Sequence, residues 1–239
     1  LNLQITLLKI FGSTFLFLAI YILSKKMSFY EYGIYETVVR ITLLISIFSL
    51  YGIPVLITRA KNLYSSKKIF LSTLSTVFTI NAILILISIS IIYFFANNYV
   101  SVIPIIISGL FYAIYKMSGN LSLKNKKYFV SILSDDSLFN ILLAIFLMIS
   151  LIINLKLILL SISLIVLICR IITFFILNSS FKIKILKLKN KFSYFKESTT
   201  IFKQSFSQKL VNNLPVVMCP FLFSGDETGI FALSTRLSL

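Results

Sequence analysis

Long apolar stretches separated by short polar turns make up most of this chain. Seven of them are long enough to cross a bilayer as helices, which takes about 20 mostly apolar residues. They are Ile5–Leu23, Thr37–Thr58, Ile69–Phe95, Val102–Leu123, Tyr128–Ile153, Leu157–Leu177 and roughly Thr200–Phe223. An eighth begins at Gly229 and ends with the chain at Leu239. The stretches lack the strict alternation of outer-membrane strands, so the pattern predicts an all-α, polytopic membrane protein.

Composition supports a membrane protein and argues against a metal centre. The chain is 58% hydrophobic, 13% charged and has a mean hydropathy of +0.99. The first stretch contains Lys9 and is followed at once by further stretches, which favours a span over a cleaved signal peptide. Histidine is absent, and Cys169 and Cys219 both lie in apolar stretches, where they behave as small hydrophobic residues. We expect no transition metal and no cofactor.

The basic residues alternate between turns and thereby predict an orientation. Turns that follow even-numbered stretches carry thirteen Lys and Arg residues, and the opposite turns carry three. The first group is Arg59, Lys61, Lys67, Lys68, Lys124, Lys126, Lys127, Lys182, Lys184, Lys187, Lys189, Lys191 and Lys196; the second is Lys25, Lys26 and Lys156. Cytoplasmic loops are the richer in basic residues, so the amino terminus is predicted to be cytoplasmic.

A lysine-rich connector, residues 179–199, follows the sixth stretch. Its alternating basic and apolar residues suit a segment lying on anionic headgroups, and docking of a cytoplasmic partner is the alternative. No folded nucleic-acid module accompanies the net charge of +16, so we expect no nucleic-acid partner.

A short motif occurs twice at a constant offset of 196 residues. Glu31 followed by Gly33-Ile-Tyr35 is echoed by Glu227 followed by Gly229-Ile-Phe231, and Arg40 by Arg236. The offset spans an even number of crossings, which predicts parallel repeats of the kind found in transporters. We therefore expect a six-helix lobe over residues 1–178, the connector over 179–199, and over 200–239 the start of a second lobe. A lobe cut short in this way predicts that the chain is part of a longer protein.

The same residues carry a family resemblance. Gly33-Ile-Tyr35 entering the second stretch, Leu50-Tyr-Gly-Ile-Pro54 with Arg59 at its exit, the turn Leu121–Phe129 and Ser224–Phe231 resemble the polysaccharide exporter family. More narrowly they are similar to its flippases for O-antigen and other lipid-linked oligosaccharides, within the superfamily of multidrug, oligosaccharidyl-lipid and polysaccharide exporters. The resemblance implies two six-helix lobes around a central cavity, and it covers essentially the whole chain.

Cations inside the predicted spans are the candidate substrate-binding residues. A charge at mid-bilayer costs about 2.5–3.5 kcal/mol on insertion scales, so each needs a partner or a function. Arg40, near the external end of the second stretch, its repeat mate Arg236, Lys116 and the deep Arg170 are predicted to line a cationic cavity that holds a diphosphate. Lys9 and Lys203 lie near stretch ends and are predicted to reach the headgroups, with Lys209 intermediate.

Asp135 and Asp136 form an acidic pair inside the fifth stretch. Neighbouring helical residues point about 100° apart, so we expect them on different faces. One is predicted to pair with Arg170 or Lys116 and the other to carry a coupling proton or sodium ion, with a purely structural ion pair as the alternative. No polar constellation that would support acid–base catalysis accompanies them.

These features predict a transporter rather than an enzyme. The expected function is flipping of undecaprenyl-diphosphate-linked oligosaccharide across the bacterial inner membrane by alternating access, with Pro215 and Pro220 bending the seventh helix as a gate. Its partners would be the lipid-linked substrate, bilayer lipids and other membrane proteins of polysaccharide assembly. The alternatives are a cation-coupled multidrug exporter, a polytopic polysaccharide polymerase and a non-transporting scaffold.

Overall fold

The computed structural model describes residues 2–95, 99–153, 158–178 and 191–237, and helices account for nearly all of this backbone. The helices are α1 (Asn2–Lys26), α2 (Phe29–Leu50), α3 (Ile53–Arg59), α4 (Leu63–Phe95), α5 (Ile103–Lys124), α6 (Tyr128–Ile132), α7 (Leu138–Ile152), α8 (Leu159–Asn178), α9 (Lys191–Leu222) and α10 (Gly225–Leu237). A 3-10 turn, Tyr99–Ser101, precedes α5, and a π-helical turn, Leu133–Ser137, joins α6 to α7. No strand occurs in the described ranges.

Five segments are long and apolar enough to cross a membrane. They are Thr6–Lys26, Phe29–Leu50, Leu63–Ser90, Tyr128–Ile152 and Leu159–Leu177. The predicted all-α, multi-pass architecture is therefore confirmed. The fourth and seventh predicted stretches also form long helices, α5 and α9, which are not among these five. The basic residues between 179 and 190 lie outside the described residues, and 191–199 belong to α9.

The second predicted stretch ends earlier than its hydropathy suggests. We expected one helix to Thr58, but α2 stops at Leu50 and the short α3 follows. Gly52 has φ of 75°, a left-handed conformation that suits glycine, and Pro54 stands in the first turn of α3, where its missing N–H costs nothing. A side chain at position 52 would also press on the backbone of α9, 3.1 Å from the Ser198 carbonyl oxygen.

The fifth predicted stretch is broken at the acidic pair. Asp135 (φ −88°, ψ 42°) and Asp136 (φ 69°, ψ −7°) leave the helical conformation, and Asp136 lies in the left-handed region. Glycines on two neighbouring helices make room for the break. A Cβ on Gly12 of α1 would lie 2.8 Å from the Ser137 Cβ, and one on Gly119 of α5 would overlap the Ser134 hydroxyl.

Helix α5 occupies the centre of the bundle and packs against α2, α3, α4, α6 and α8. Its small residues permit this, because a Cβ on Gly109 would stand 2.9 Å from the Thr42 methyl group of α2. Buried Ile105, Ile106 and Ala113 fill the spaces between helices. The polar Asn81 of α4 donates to the Gly109 carbonyl oxygen at 3.0 Å, which ties α4 to α5 through the core.

Helices α2 and α10 begin in the same way and cross closely. Ser28 and Glu31 form a capping box on α2, and Ser224 and Glu227 form the equivalent pair on α10 at the repeat offset. Hydrogen bonds from Ser224 lower the pKa of the Glu227 carboxyl. The helices touch at the repeat-related glycines, where a Cβ on Gly33 would lie 2.8 Å from the Gly229 backbone nitrogen.

Candidate functional site

Two groups of charged and polar side chains join neighbouring helices of the bundle. The first, here the crossing cluster, comprises Glu36 and Arg40 of α2, Asn213 of α9 and Arg236 of α10. The second, the break cluster, comprises Lys116 of α5, Asp135 and Asp136 of the π-helical turn, and Arg170 of α8. All six candidate residues named from the sequence belong to one or the other.

Glu36 is the centre of the crossing cluster. Its carboxylate is only 2% exposed and accepts from Arg236 Nε at 3.0 and 3.1 Å. Arg40 Nε lies 3.6 Å from the same carboxylate, an ion pair longer than a hydrogen bond. One carboxylate thus pairs with two arginines that correspond at the repeat offset, and this pairing is favoured because unpaired charges are costly in a low-polarity interior.

Arg40 links α2 to α9. Its Nη1 donates to Asn213 Oδ1 at 2.9 Å, and the Asn213 amide donates to the Lys209 carbonyl oxygen at 2.7 Å. We predicted Arg40 near the end of its span, but α2 begins at Phe29, so it lies about three turns inside the helix. The arginine is buried among helices and does not face lipid.

Thr37 supplies a hydrogen bond that α9 cannot make for itself. The Val216 carbonyl would normally accept from the N–H four residues on, but that residue is Pro220, which has none. The Thr37 hydroxyl, one helix away, donates to this oxygen at 3.4 Å. Because Pro220 leaves the Val216 carbonyl without its intrahelical donor, this oxygen is available for a hydrogen bond that joins α9 to α2.

Thr37→Val is expected to lower the free energy of unfolding by about 1 kcal/mol, because it leaves the buried Val216 carbonyl without a donor. In a Pro220→Ala background the loss should vanish, since the new backbone N–H at position 220 replaces the hydroxyl. Thermal unfolding in detergent, followed with a thiol-reactive dye that reports exposure of buried Cys169 and Cys219, measures both. Equal losses in the two backgrounds would contradict the assignment.

The break cluster holds Arg170 in an aromatic and acidic enclosure. Arg170 Nη1 donates to Asp136 Oδ1 at 2.8 Å, and the Tyr115 hydroxyl donates to the same oxygen at 2.9 Å. The guanidinium lies 3.6 Å from the ring centroid of Phe139 and 4.7 Å from that of Tyr112, within cation–π range. Arg170 is therefore buried and compensated on several sides.

Both aspartates pair with Lys116, so the expectation that they point to different faces is wrong. Lys116 Nζ lies 2.7 Å from Asp135 Oδ1 and 3.4 Å from Asp136 Oδ2. The 100° separation holds only for a continuous helix, and the non-helical backbone at both residues turns the two carboxylates toward one amine. The side chain of Asp135 is nonetheless 71% exposed, whereas that of Asp136 is 31% exposed.

A cavity of about 160 Å³ lies between the clusters. Its polar lining includes residues of both clusters and of neighbouring helices, among them Tyr35, Glu36, Asp136, Asn140, Arg170 and Arg236. The rest of the lining is largely apolar, including Leu16, Ile20 and Leu143. The space is large enough for several waters, and its charges are paired carboxylates and guanidiniums. Among the described residues no three His, Cys, Asp or Glu side chains come together as a metal site would require.

Sequence reasoning missed Glu36, Thr37 and Asn213. Glu36 had a usable signal, since an acid four residues before Arg40 inside an apolar stretch predicts an i,i+4 pair. Asn213 and Thr37 had none, because their partners are more than 170 residues away in the chain. Lys9 and Lys209, which we assigned to headgroups or left undecided, are both exposed.

Comparison with known proteins agrees with the resemblance inferred from the sequence. The sequence profile of the family described as Polysaccharide biosynthesis protein matches residues 3–239. No curated protein and no solved structure matches the chain significantly. The family is of a transporter type and not typically catalytic. With a match over almost its whole length and several membrane-spanning helices, the chain belongs to the polysaccharide biosynthesis protein family.

Proposed function

We propose that the protein moves lipid-linked oligosaccharide, carried on undecaprenyl diphosphate, across the bacterial inner membrane by alternating access. The observation that carries this is the inward placement of its intramembrane cations. Arg40, Lys116, Arg170 and Arg236 all contact other helices, and two of them line the internal cavity. A flippase must compensate a diphosphate away from water, and fixed guanidinium and ammonium groups do so.

The α2–α10 crossing supports the alternating-access part of the proposal. These helices come from corresponding places in the two repeats and touch backbone to backbone at Gly33 and Gly229. Opening a path between them requires separating Glu36 from Arg236. In the orientation predicted from the lysines this crossing lies toward the external face, and we assign it as the external closure of the pathway.

The proposal is tested by expressing the gene in a flippase-null bacterium and measuring whether surface polysaccharide is restored. We expect restoration by the wild type, and a strong reduction by the charge-removing Arg170→Met variant at equal membrane abundance. Extracted polysaccharide, separated by gel electrophoresis and stained, gives the readout.

The multidrug exporter makes the opposite prediction. Failure to restore polysaccharide together with gained resistance to cationic drugs would favour that exporter, whose substrates need an acidic pathway.

A Lys203→Met variant on α9 serves as the matched control for Arg170→Met, because Lys203 is exposed and has no ion pair within the described ranges.

A further inference from the structure

Three helix ends meet at the far end of α2 from its crossing with α10. The Ser66 hydroxyl of α4 donates to the Ile57 carbonyl oxygen of α3 at 2.8 Å. The Lys124 ammonium of α5 donates to the neighbouring Thr58 carbonyl oxygen at 3.3 Å. The carboxyl end of α3 is thereby joined to the start of α4 and to the end of α5.

This junction carries a strong excess of positive charge. Six exposed cations lie on the three helix ends and the turns beside them, here the junction patch: Arg59, Lys61, Lys67, Lys68, Lys126 and Lys127. Residues 51–74 and 117–134, which contain all six, include no Asp or Glu. Within the described ranges none of the six takes part in an ion pair. Glu197 of α9, whose neighbour Ser198 packs on Gly52, supplies at most one negative charge at the border of the patch.

The junction patch lies where a membrane-spanning helix begins. Leu63–Ser90 is one of the five spans, so Lys67 and Lys68 stand in its first two turns. Tyr64 is 77% exposed beside them, and Phe129, next to the lysines of the α5–α6 turn, is 62% exposed. Tyrosines concentrate at the membrane–water interface, and long lysine side chains extend to it from the end of a span. The cations are therefore held at the depth of the lipid head groups.

We propose that the junction patch is a binding site for anionic phospholipids, whose head groups supply the counter-charge that the described residues lack. In the orientation predicted from the lysines these lipids belong to the cytoplasmic leaflet. The site lies outside the cavity and its two charged clusters, and it does not depend on the proposed function.

The depth of the patch favours a lipid over a soluble acidic partner. Lipid phosphates already lie at the level of Tyr64, whereas an acidic protein segment has to displace them to reach Lys67 and Lys68. A lysine near an anionic membrane surface strengthens binding about fivefold. Six cations on one small area therefore select anionic over zwitterionic head groups.

Bound head groups would hold the three helix ends together. Arg59 belongs to α3, Lys67 and Lys68 to α4, and Lys126 to the turn after α5, so neighbouring phosphates can bridge all three. Helix α3 also contacts α9, against whose backbone Gly52 packs. Anionic lipid is thus expected to stabilise the packing of α9 on the first six spans.

Native mass spectrometry of the purified chain, titrated in detergent with phosphatidylglycerol or phosphatidylcholine, tests the site. The wild type should bind phosphatidylglycerol at least about tenfold more tightly than phosphatidylcholine. Lys67→Gln/Lys68→Gln should weaken phosphatidylglycerol binding about tenfold or more, because two of the cations are removed. Its affinity for phosphatidylcholine should stay unchanged.

Lys25→Gln/Lys26→Gln is the matched control. It also removes two adjacent exposed lysines from a turn between spans, but Glu31 on the next helix offsets their charge. We expect it to change phosphatidylglycerol binding less than about twofold. Equal weakening by the two double variants would overturn the proposal, and so would equal affinity of the wild type for the two lipids. Unfolding midpoints measured beside each titration show that the compared proteins are intact.

Two competitors separate membrane lipid from other anions. Sodium phosphate and sodium chloride at matched ionic strength should weaken phosphatidylglycerol binding equally, since both act by screening. Specific displacement by phosphate would overturn the assignment to a lipid in favour of free phosphate. Displacement of the lipid by soluble polyglutamate beyond that screening would overturn it in favour of an acidic protein segment.

Discussion

Asp136→Asn is expected to destabilise the protein by about 3 kcal/mol. Arg170 is 7% exposed and its one ion-pair partner in the described ranges is Asp136, so the substitution leaves a buried cation without a counter-charge. Such losses amount to about 3–5 kcal/mol, and the lower end applies because the Asp136 side chain is partly exposed. Asparagine tolerates the left-handed backbone at this position, so the change isolates the charge.

Two companion variants sharpen this test. Asp135→Asn on the same turn should change stability by less than about 1 kcal/mol, because an exposed ion pair contributes little. Arg170→Met in the Asp136→Asn background should recover part of the loss by removing the stranded cation. Unfolding followed through the buried thiols of Cys169 and Cys219 gives the values. Without recovery in the double variant, the charge explanation would be wrong.

Glu36→Gln is the second variant with a large expected effect, a loss of about 3–5 kcal/mol. Glu36 is the shared counter-ion of Arg40 and Arg236, so a neutral amide leaves the buried guanidinium of Arg40 and the part-buried one of Arg236 close together without an anion. Arg236→Met should cost less, because Glu36 keeps Arg40 as a partner. The same thermal assay measures both.

Glu31→Gln provides the control on the same helix. It keeps an acceptor for the capping box at Ser28 and should be nearly neutral, since glutamine also serves at that position. A Glu36→Gln variant no less stable than Glu31→Gln would show that the crossing cluster contributes nothing to stability.

Hydropathy predicted that the chain forms long apolar helices, because it measures which residues tolerate lipid, but it did not predict that the second stretch divides into α2 and α3. It could not predict the break at Asp135 and Asp136, since no glycine or proline marks it and the space for it comes from Gly12 and Gly119 on other helices. The two aspartates were noticed as charges in a span, but their common partner followed only from the backbone geometry.

The candidate site was predictable in its cations and in Asp135 and Asp136, but not in Glu36. Arg40, Lys116, Arg170 and Arg236 stood out because each is costly in a membrane. Glu36 was overlooked although its spacing to Arg40 signals a pair, and its stronger contact with Arg236 depends on a helix crossing that only tertiary structure specifies. The predicted lobe boundaries stay predictions.

The contact between Gly33 and Gly229 has a consequence for how the two halves can diverge. Because each glycine packs on the backbone beside the other, a larger residue in either half pushes both helices apart. Two positions that correspond at the 196-residue offset of the sequence motif are thereby bound to a single steric condition. The size of residue that position 33 accepts therefore depends on position 229, and the reverse also holds.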